Sequence, residues 1–81
     1  PALKLSPNPV RNFVSININT TGKTYTARIS GMDGRTVIQA TGGVNQVNRQ
    51  VNHQLGKLTP GIYVLQVDNE QEHYRVKFVK Q

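Results

Sequence analysis

Apolar residues in this chain recur at every second position, in short runs broken by turn signals, and that period belongs to β-strands. Val14, Ile16 and Ile18 alternate with Ser15 and Asn17. Tyr25, Ala27 and Ile29 alternate with Thr24, Thr26, Arg28 and Ser30, and Tyr74, Val76 and Phe78 alternate with Arg75 and Lys77. Such a pattern sets one face of each strand on a core and leaves the other in water. Helical signals are almost missing. The turn signals fall every ~8–12 residues, the spacing of an all-β sandwich or barrel.

The punctuation between the runs sharpens this expectation. Pro7-Asn8-Pro9 reads as a rigid, extended lead-in, since each proline pushes its predecessor towards extended conformations. Thr20-Thr21-Gly22-Lys23 is a turn, which would make Tyr25–Ser30 the antiparallel partner of the first run if the connection is a hairpin. Asp33-Gly34 is a hairpin signal, because both residues tolerate positive φ, and it leads to 36–40, where Val37 and Ile38 would pack. Gly42-Gly43 breaks the chain again. The stretch 44–55 is ambiguous. Val47, Val51 and Leu55 recur every four residues, as on one helix face. Against that, Asn45, Asn48 and Asn52 are poor helix formers and no cap is evident, so a strand or extended connection is expected. Pro60-Gly61 fits a type II turn with Gly61 at positive φ, so Gly61→Val is expected to damage folding. The following strand opens Ile62-Tyr63-Val64-Leu65, apolar on both faces as a central strand should be. After the turn at 68–71, the last strand sets Tyr74, Val76 and Phe78 inward and Arg75 and Lys77 outward. About seven short strands in all imply two antiparallel sheets packed face to face.

The chain has 81 residues, which is one small domain spanning 1–81. It opens on Pro1 rather than methionine and is therefore read as a piece of a longer secreted protein, with any export signal upstream. No apolar run approaches the ~20 residues of a membrane span. With no cysteine there is neither a disulfide nor a thiolate. The net charge of +6 invites an acidic partner, yet the ten basic residues are scattered along the whole chain. The aromatics Phe13, Tyr25, Tyr63, Tyr74 and Phe78 sit in strand-like stretches, which suits core filling better than base stacking, so no nucleic-acid role is expected.

Catalysis needs convergent titratable groups, and the acids are only Asp33, Asp68, Glu70 and Glu72. Asp33 is explained by its hairpin. The alternating Asp68, Glu70 and Glu72 lack the ligand count and glycine of a calcium loop, and read as a solvated hairpin tip. His53 and His73 have no acid at triad or metal-ligand spacing. Ser6, Ser15 and Ser30 lack a nucleophile-elbow context, and Gly42-Gly43 precedes no phosphate-loop lysine. No catalytic residue, cofactor or metal site is expected.

The two ends of the chain carry the remaining signal. Chain termini usually fray, because few contacts hold them; here a turn, two apolar strands and a basic finish crowd the C-terminus. Leu5-Ser6-Pro7-Asn8-Pro9 is followed by the alternating run Val14-Ile16-Ile18. Ile29, Met32, Gly34, Arg35 and Val37 follow, then Leu58, Gly61, Ile62, Tyr63 and Leu65, and finally Lys77, Phe78, Val79 and Lys80. In this order and spacing the pieces resemble the type A C-terminal sorting domain of the type IX secretion system. Gly31, where an acid is common, and His53, where an aliphatic is usual, depart from that pattern, and 44–52 carries no family signature.

The resemblance implies an immunoglobulin-like β-sandwich that labels a cargo N-terminal to it for passage through an outer-membrane translocon. Such cargoes include proteinases and adhesins. It implies transit through the periplasm to the cell surface or medium, and removal by a sortase-like peptidase as the cargo is anchored. Gly61, Tyr63, Val76, Lys77, Val79 and Lys80 are the expected recognition residues, and Pro7, Asn8, Pro9, Gly34 and Leu58 the structural ones. Lys77 and Lys80, with the backbone edge beside them, are what the machinery is expected to read, although lysines there also serve to keep an edge strand from aggregating. That same edge leaves a strand-mediated dimer open. A fibronectin-like or carbohydrate-binding accessory module of a larger enzyme is the alternative, and would need exposed aromatics on one sheet or loop. A small basic nucleic-acid-binding fold is a third reading, and would show affinity that falls steeply with salt.

Overall fold

A computed structural model describes residues 3–18 and 23–81. Within them six strands form two sheets. A two-stranded sheet pairs β1 (Leu3–Ser6) with β2 (Ser15–Ile18). A four-stranded sheet has the order β4-β3-β5-β6, from β3 (Tyr25–Gly31), β4 (Thr36–Gly42), β5 (Gly61–Asp68) and β6 (His73–Lys80). All of these ladders are antiparallel. Helix α1 (Val44–His53) and a single 3-10 turn, Leu55–Lys57, link β4 to β5.

Period two is obeyed. Val14, just before β2, and Ile16 and Ile18 of β2 are buried together with Tyr25, Ala27 and Ile29 of β3 and Ile38 and Ala40 of β4. Tyr63, Leu65 and Val67 of β5 and Phe78 of β6 complete the core of a small β-sandwich. In β5 and β6 the neighbours of these residues face outward, and Ile62, 47% exposed, shows that a topologically central strand here has one wet face. Phe13 is a correction: it is 62% exposed and fills no core.

The 44–55 stretch is the main departure from expectation, since it is helical and the described residues hold six strands rather than about seven. Its start is built by glycines. Gly42 has φ +136°, and a Cβ there would collide with the Gln46 side chain, so both conformation and space demand glycine. Gln46 reaches back to accept the Gly43 N–H at 2.8 Å, while the Val47 N–H donates to the Gly43 carbonyl. This is the side-chain half of a capping box. Val47 and Val51 then bury their face, and Leu55 and Leu58 continue it.

The asparagines that argued against a helix are what dock it. Asn52 accepts the Val14 N–H and donates to the Val14 carbonyl, both at 2.8 Å. Asn48 does the same for Ile16, both at 2.7 Å. Gln50 treats Thr41 of β4 likewise, at 3.2 and 2.7 Å. Gln54 adds a donor to the Gln39 carbonyl at 3.4 Å. The carboxamides of Asn48, Gln50 and Asn52 each present the donor–acceptor pair that a neighbouring strand would present. One helix thus occupies the lateral edge of both sheets and ties β2 to β4.

Other details also differ from the sequence reading. Leu3–Ser6 is a strand that was not expected, and it takes the pairing with β2 that was assigned to Tyr25–Ser30. Thr20-Thr21-Gly22 lies outside the described residues. The Asp33-Gly34 hairpin stands, but only Gly34 has positive φ (85°). Gly34 N–H donates to the Gly31 carbonyl and Gly31 N–H to the Arg35 carbonyl, the pattern of a type I turn with a glycine bulge. Gly61 does not adopt positive φ, and a Cβ there meets nothing closer than 3.9 Å. The expected φ-based damage from Gly61→Val therefore has no basis. Gly61→Ala is expected to melt within a few degrees of the wild type, a result that differential scanning calorimetry reads directly.

The docking amides generate a sharper test. Asn52→Ala leaves the Val14 N–H and carbonyl without their partner, which costs about 1–3 kcal/mol. The better helix propensity of alanine returns only about 0.7 kcal/mol or less. Urea unfolding is expected to show a net loss for Asn52→Ala and for Asn48→Ala. Exposed Asn45→Ala, which breaks no such pair, is expected to be neutral or stabilising. Equal effects at all three positions would refute the docking role.

Candidate functional site

The C-terminal strand is held on both sides. Along one edge it pairs with β5 over its full length, from Asp68↔His73 to Gly61↔Lys80. Along the other, the Val10 N–H donates to the Val79 carbonyl at 2.7 Å and the Gln81 N–H to the Val10 carbonyl at 2.8 Å. This is a short parallel bridge, and Val10 itself is fully buried. Just upstream, the Asn8 carboxamide oxygen accepts the Val79 N–H at 3.1 Å, and Arg11 Nε donates to Gln81 Oε1 at 2.9 Å. The Pro7-Asn8-Pro9 element is thus a clamp on the end of the chain rather than a mere lead-in, and both of its X–Pro bonds are cis. Three of the four sequence motifs meet at two places: Asn8 with Val79, and the Leu58–Tyr63 segment beneath β6.

That segment supports the strand from inside. The Tyr63 ring stacks on Phe78, with centroids 5.9 Å apart and planes at 25°. Its hydroxyl donates to the Thr59 carbonyl at 2.8 Å, which fixes the loop before β5. Leu58 is buried and closes the 3-10 turn, its N–H on the Leu55 carbonyl. Gly61 is the first residue of β5, opposite Lys80. Of the residues expected to form a recognition set, Tyr63 is thus a buried support, and Val76 is half-buried on the inner face. Lys77 and Val79 are exposed on the outer face beside Arg75, with Val79 opposite exposed Ile62. Lys80 falls on the opposite face of the strand, its Nζ on the Gln81 carbonyl. The two lysines therefore do not form one patch. Gly34 lies at the β3–β4 turn, in a different part of the sheet.

A second polar cluster was not anticipated. Glu72, just before β6, accepts from Tyr74 and Tyr25 hydroxyls and from Asn69, and pairs with Lys23 at 3.0 Å. The hydrogen bond from Tyr74, then that from Lys23, pulls the carboxyl down from 4.5 to about 2. In return Glu72 raises the Tyr74 hydroxyl to about 12 and the Lys23 ammonium above its usual value. Asp68 is engaged separately, by His73 at 2.8 Å, Gln66 at 3.0 Å and Arg28 at 3.7 Å. Partial burial pushes its carboxyl up, but the bonds from His73 and Gln66 prevail and leave it below its usual value. Two of the three acids of this turn are thus committed to separate structural partners. Sequence alone offered little to find this cluster, because Lys23 and Glu72 are 49 residues apart. Of the five aromatics only Phe13 is exposed, and one ring does not make the platform that a sugar-binding face needs.

Residues 4–81 match the family model described as Secretion system C-terminal sorting domain. A search of curated proteins gives no match. The Glu72 cluster makes its own prediction about stability. The folded-state pKa lies below the unfolded one, so this contribution is complete above about pH 4.5 and is lost as the pH falls towards 2. The melting temperature is expected to fall across that window, and Glu72→Gln is expected to flatten most of the fall, with Asp68 supplying the remaining slope. An equally steep fall in the variant would contradict the assignment.

Proposed function

The chain belongs to the secretion system C-terminal sorting domain family, and we propose that it is read by the export machinery as a folded C-terminal strand. As a type IX sorting signal it is a non-catalytic module that sends protein to the cell surface or beyond. In our reading it follows a cargo, crosses the periplasm with it, and passes an outer-membrane translocon. A sortase-like peptidase then removes it as the cargo is anchored.

The observation that carries this reading is the double fixation of the chain end. The last strand is paired on one side with β5 and clamped on the other by Asn8 and Val10. A C-terminus that served only as a tail would need no such partners. Lys77 and Val79 are the outward contacts, Lys80 and Gln81 the end contacts, and Asn8 is a positioning residue that acts through Val79.

The test is transport in a cell that carries the type IX machinery. Residues 1–81 are fused behind a reporter with a signal peptide, beside a twin lacking residues 76–81. Reporter is expected at the surface or in the medium for the first and in the periplasm for the second. Lys77→Ala with Lys80→Ala, and separately Asn8→Ala, are expected to cut export several-fold while the melting temperature stays within a few degrees. Asn8→Asp, which keeps an oxygen to accept the Val79 N–H, is expected to restore export relative to Asn8→Ala. Periplasmic retention of the intact fusion with the domain folded would overturn the sorting reading.

A further inference from the structure

The two lateral seams of the sandwich are finished differently. On one side α1 satisfies the free edges of β2 and β4 with side-chain amides. On the other side the edge of β6 is closed only at its end. The Val79 N–H and carbonyl both point to that edge, because they bond Asn8 and Val10. In an antiparallel strand alternate residues share an edge, so the N–H and carbonyl groups of His73, Arg75 and Lys77 point the same way. Among the described residues none of the groups of Arg75 and Lys77 has a partner there. The edge is open for about five residues and stops at the clamp.

The seam beside this edge is apolar inside and basic outside. Tyr74 and Val76 on the inner face of β6 are half-buried, as are Leu3 and Leu5 of β1, the strand of the other layer that touches β6. Core side chains in that layer are thus left partly uncovered along this seam. On the outer face Arg75 and Lys77 are exposed, with Arg28 two strands away in the same row as Arg75. Asp68 and Glu72, at the start of this hairpin arm, are already paired with other residues.

We propose that the open edge of β6 from His73 to Lys77 is a docking site for an extended segment of a partner protein in which acidic and apolar residues alternate. The segment adds a fifth strand to the large sheet. Its backbone takes the free groups of Arg75 and Lys77, its apolar residues cover Tyr74 and Val76, and its acids face Arg75 and Lys77. A second copy of this chain is the poorer occupant, because pairing β6 with β6 brings Arg75 and Lys77 close to their own twins in a chain of net charge +6. That the partner belongs to the export machinery rests on the function proposed above; the docking itself does not.

The test uses isotope-labelled protein of residues 1–81 and two synthetic octapeptides, one alternating valine with glutamate and one alternating valine with lysine. The valine–glutamate peptide is expected to move the amide resonances of residues 74–77 and to slow hydrogen exchange at Arg75 and Lys77 at least tenfold, leaving α1 unmoved. The valine–lysine peptide is expected to do neither. Arg75→Glu with Lys77→Glu is expected to invert the preference. Equal response to both peptides, a response centred elsewhere, or no response would overturn the proposal. So would concentration-dependent protection of Arg75 and Lys77 without peptide, which would assign the edge to a second copy. If the peptide binds as expected while the transport fusion stays in the periplasm, the sorting reading fails and the docking site stands.

Discussion

The sandwich depends on a helix that behaves, at its surface, like a strand. A two-stranded sheet as small as β1–β2 is marginal by itself, and its outer edge leaves the backbone of Val14 and Ile16 in need of partners. Asn48 and Asn52 lie one turn apart, so their carboxamides face the same way and meet the backbone of Ile16 in β2 and of Val14 just before it. A helical turn rises about 5.4 Å and two strand residues rise about 6.7 Å. The near match lets two successive side chains follow one strand edge. Gln50, on another face, pairs Thr41 of β4 in this way, and Gln54, four residues on, adds a donor to the Gln39 carbonyl. The two sheets are therefore linked through polar groups as well as through the core, and register is specified by hydrogen bonds as well as by burial.

Closing one side in this way concentrates the remaining freedom on the other. The N-terminal clamp and the C-terminal strand are about seventy residues apart in sequence, yet Asn8 and Val79 are bonded, as are Arg11 and Gln81. Neither end is ordered without the rest of the fold between them. Among the described residues the sheet edge beyond the clamp has its Arg75 and Lys77 backbone unpartnered, and it carries both side chains on its outer face, which is also how natural sheets discourage indiscriminate pairing. If this edge takes a partner strand as proposed, protection against the wrong strand and selection of the right one are the same feature, since a cationic edge repels another cationic edge and favours an acidic strand.

Much of this was legible in the sequence, where alternation and turn chemistry agreed. The strands β2 to β6, the Asp33-Gly34 hairpin, and the pairing of β5 with β6 follow from residues such as Ile16, Ile29, Leu65 and Phe78 at period two. The resemblance at the chain ends gave the family. The helix was not read correctly, although Val47, Val51 and Leu55 carried its period. Asparagine is a weak helix former because its side chain competes for backbone groups. Here Asn48 and Asn52 also donate to Val44 and Asn48 carbonyls of their own helix, but each additionally pairs the backbone of Ile16 or Val14, a tertiary compensation that no local scale contains. Gly61 misled in the opposite sense, since Pro-Gly matches a turn signature while the chain simply enters β5. Val79 and Asn8 were each visible as motif residues, but nothing in their spacing says that they touch. The same holds for Lys23 and Glu72, whose contact exists only after β3 and the β5–β6 turn are brought together.

A sorting signal at a chain end faces a physical problem that this arrangement answers. A short basic peptide is a common thing in any proteome, and a partner that recognised one in extended, disordered form would also bear the cost of ordering it, about 1–2 kcal/mol per residue. In the folded domain that cost has already been met by β5, Asn8 and Val10. The exposed side chains of Lys77 and Val79 are held in the alternation of a strand, and their display reports that residues as distant as Leu58, Tyr63 and Pro7–Val10 are in place. A misfolded domain would offer the same terminal sequence without the same shape. On the proposed reading, recognition of the last strand would be recognition of the whole fold, with the clamp as the link between the two.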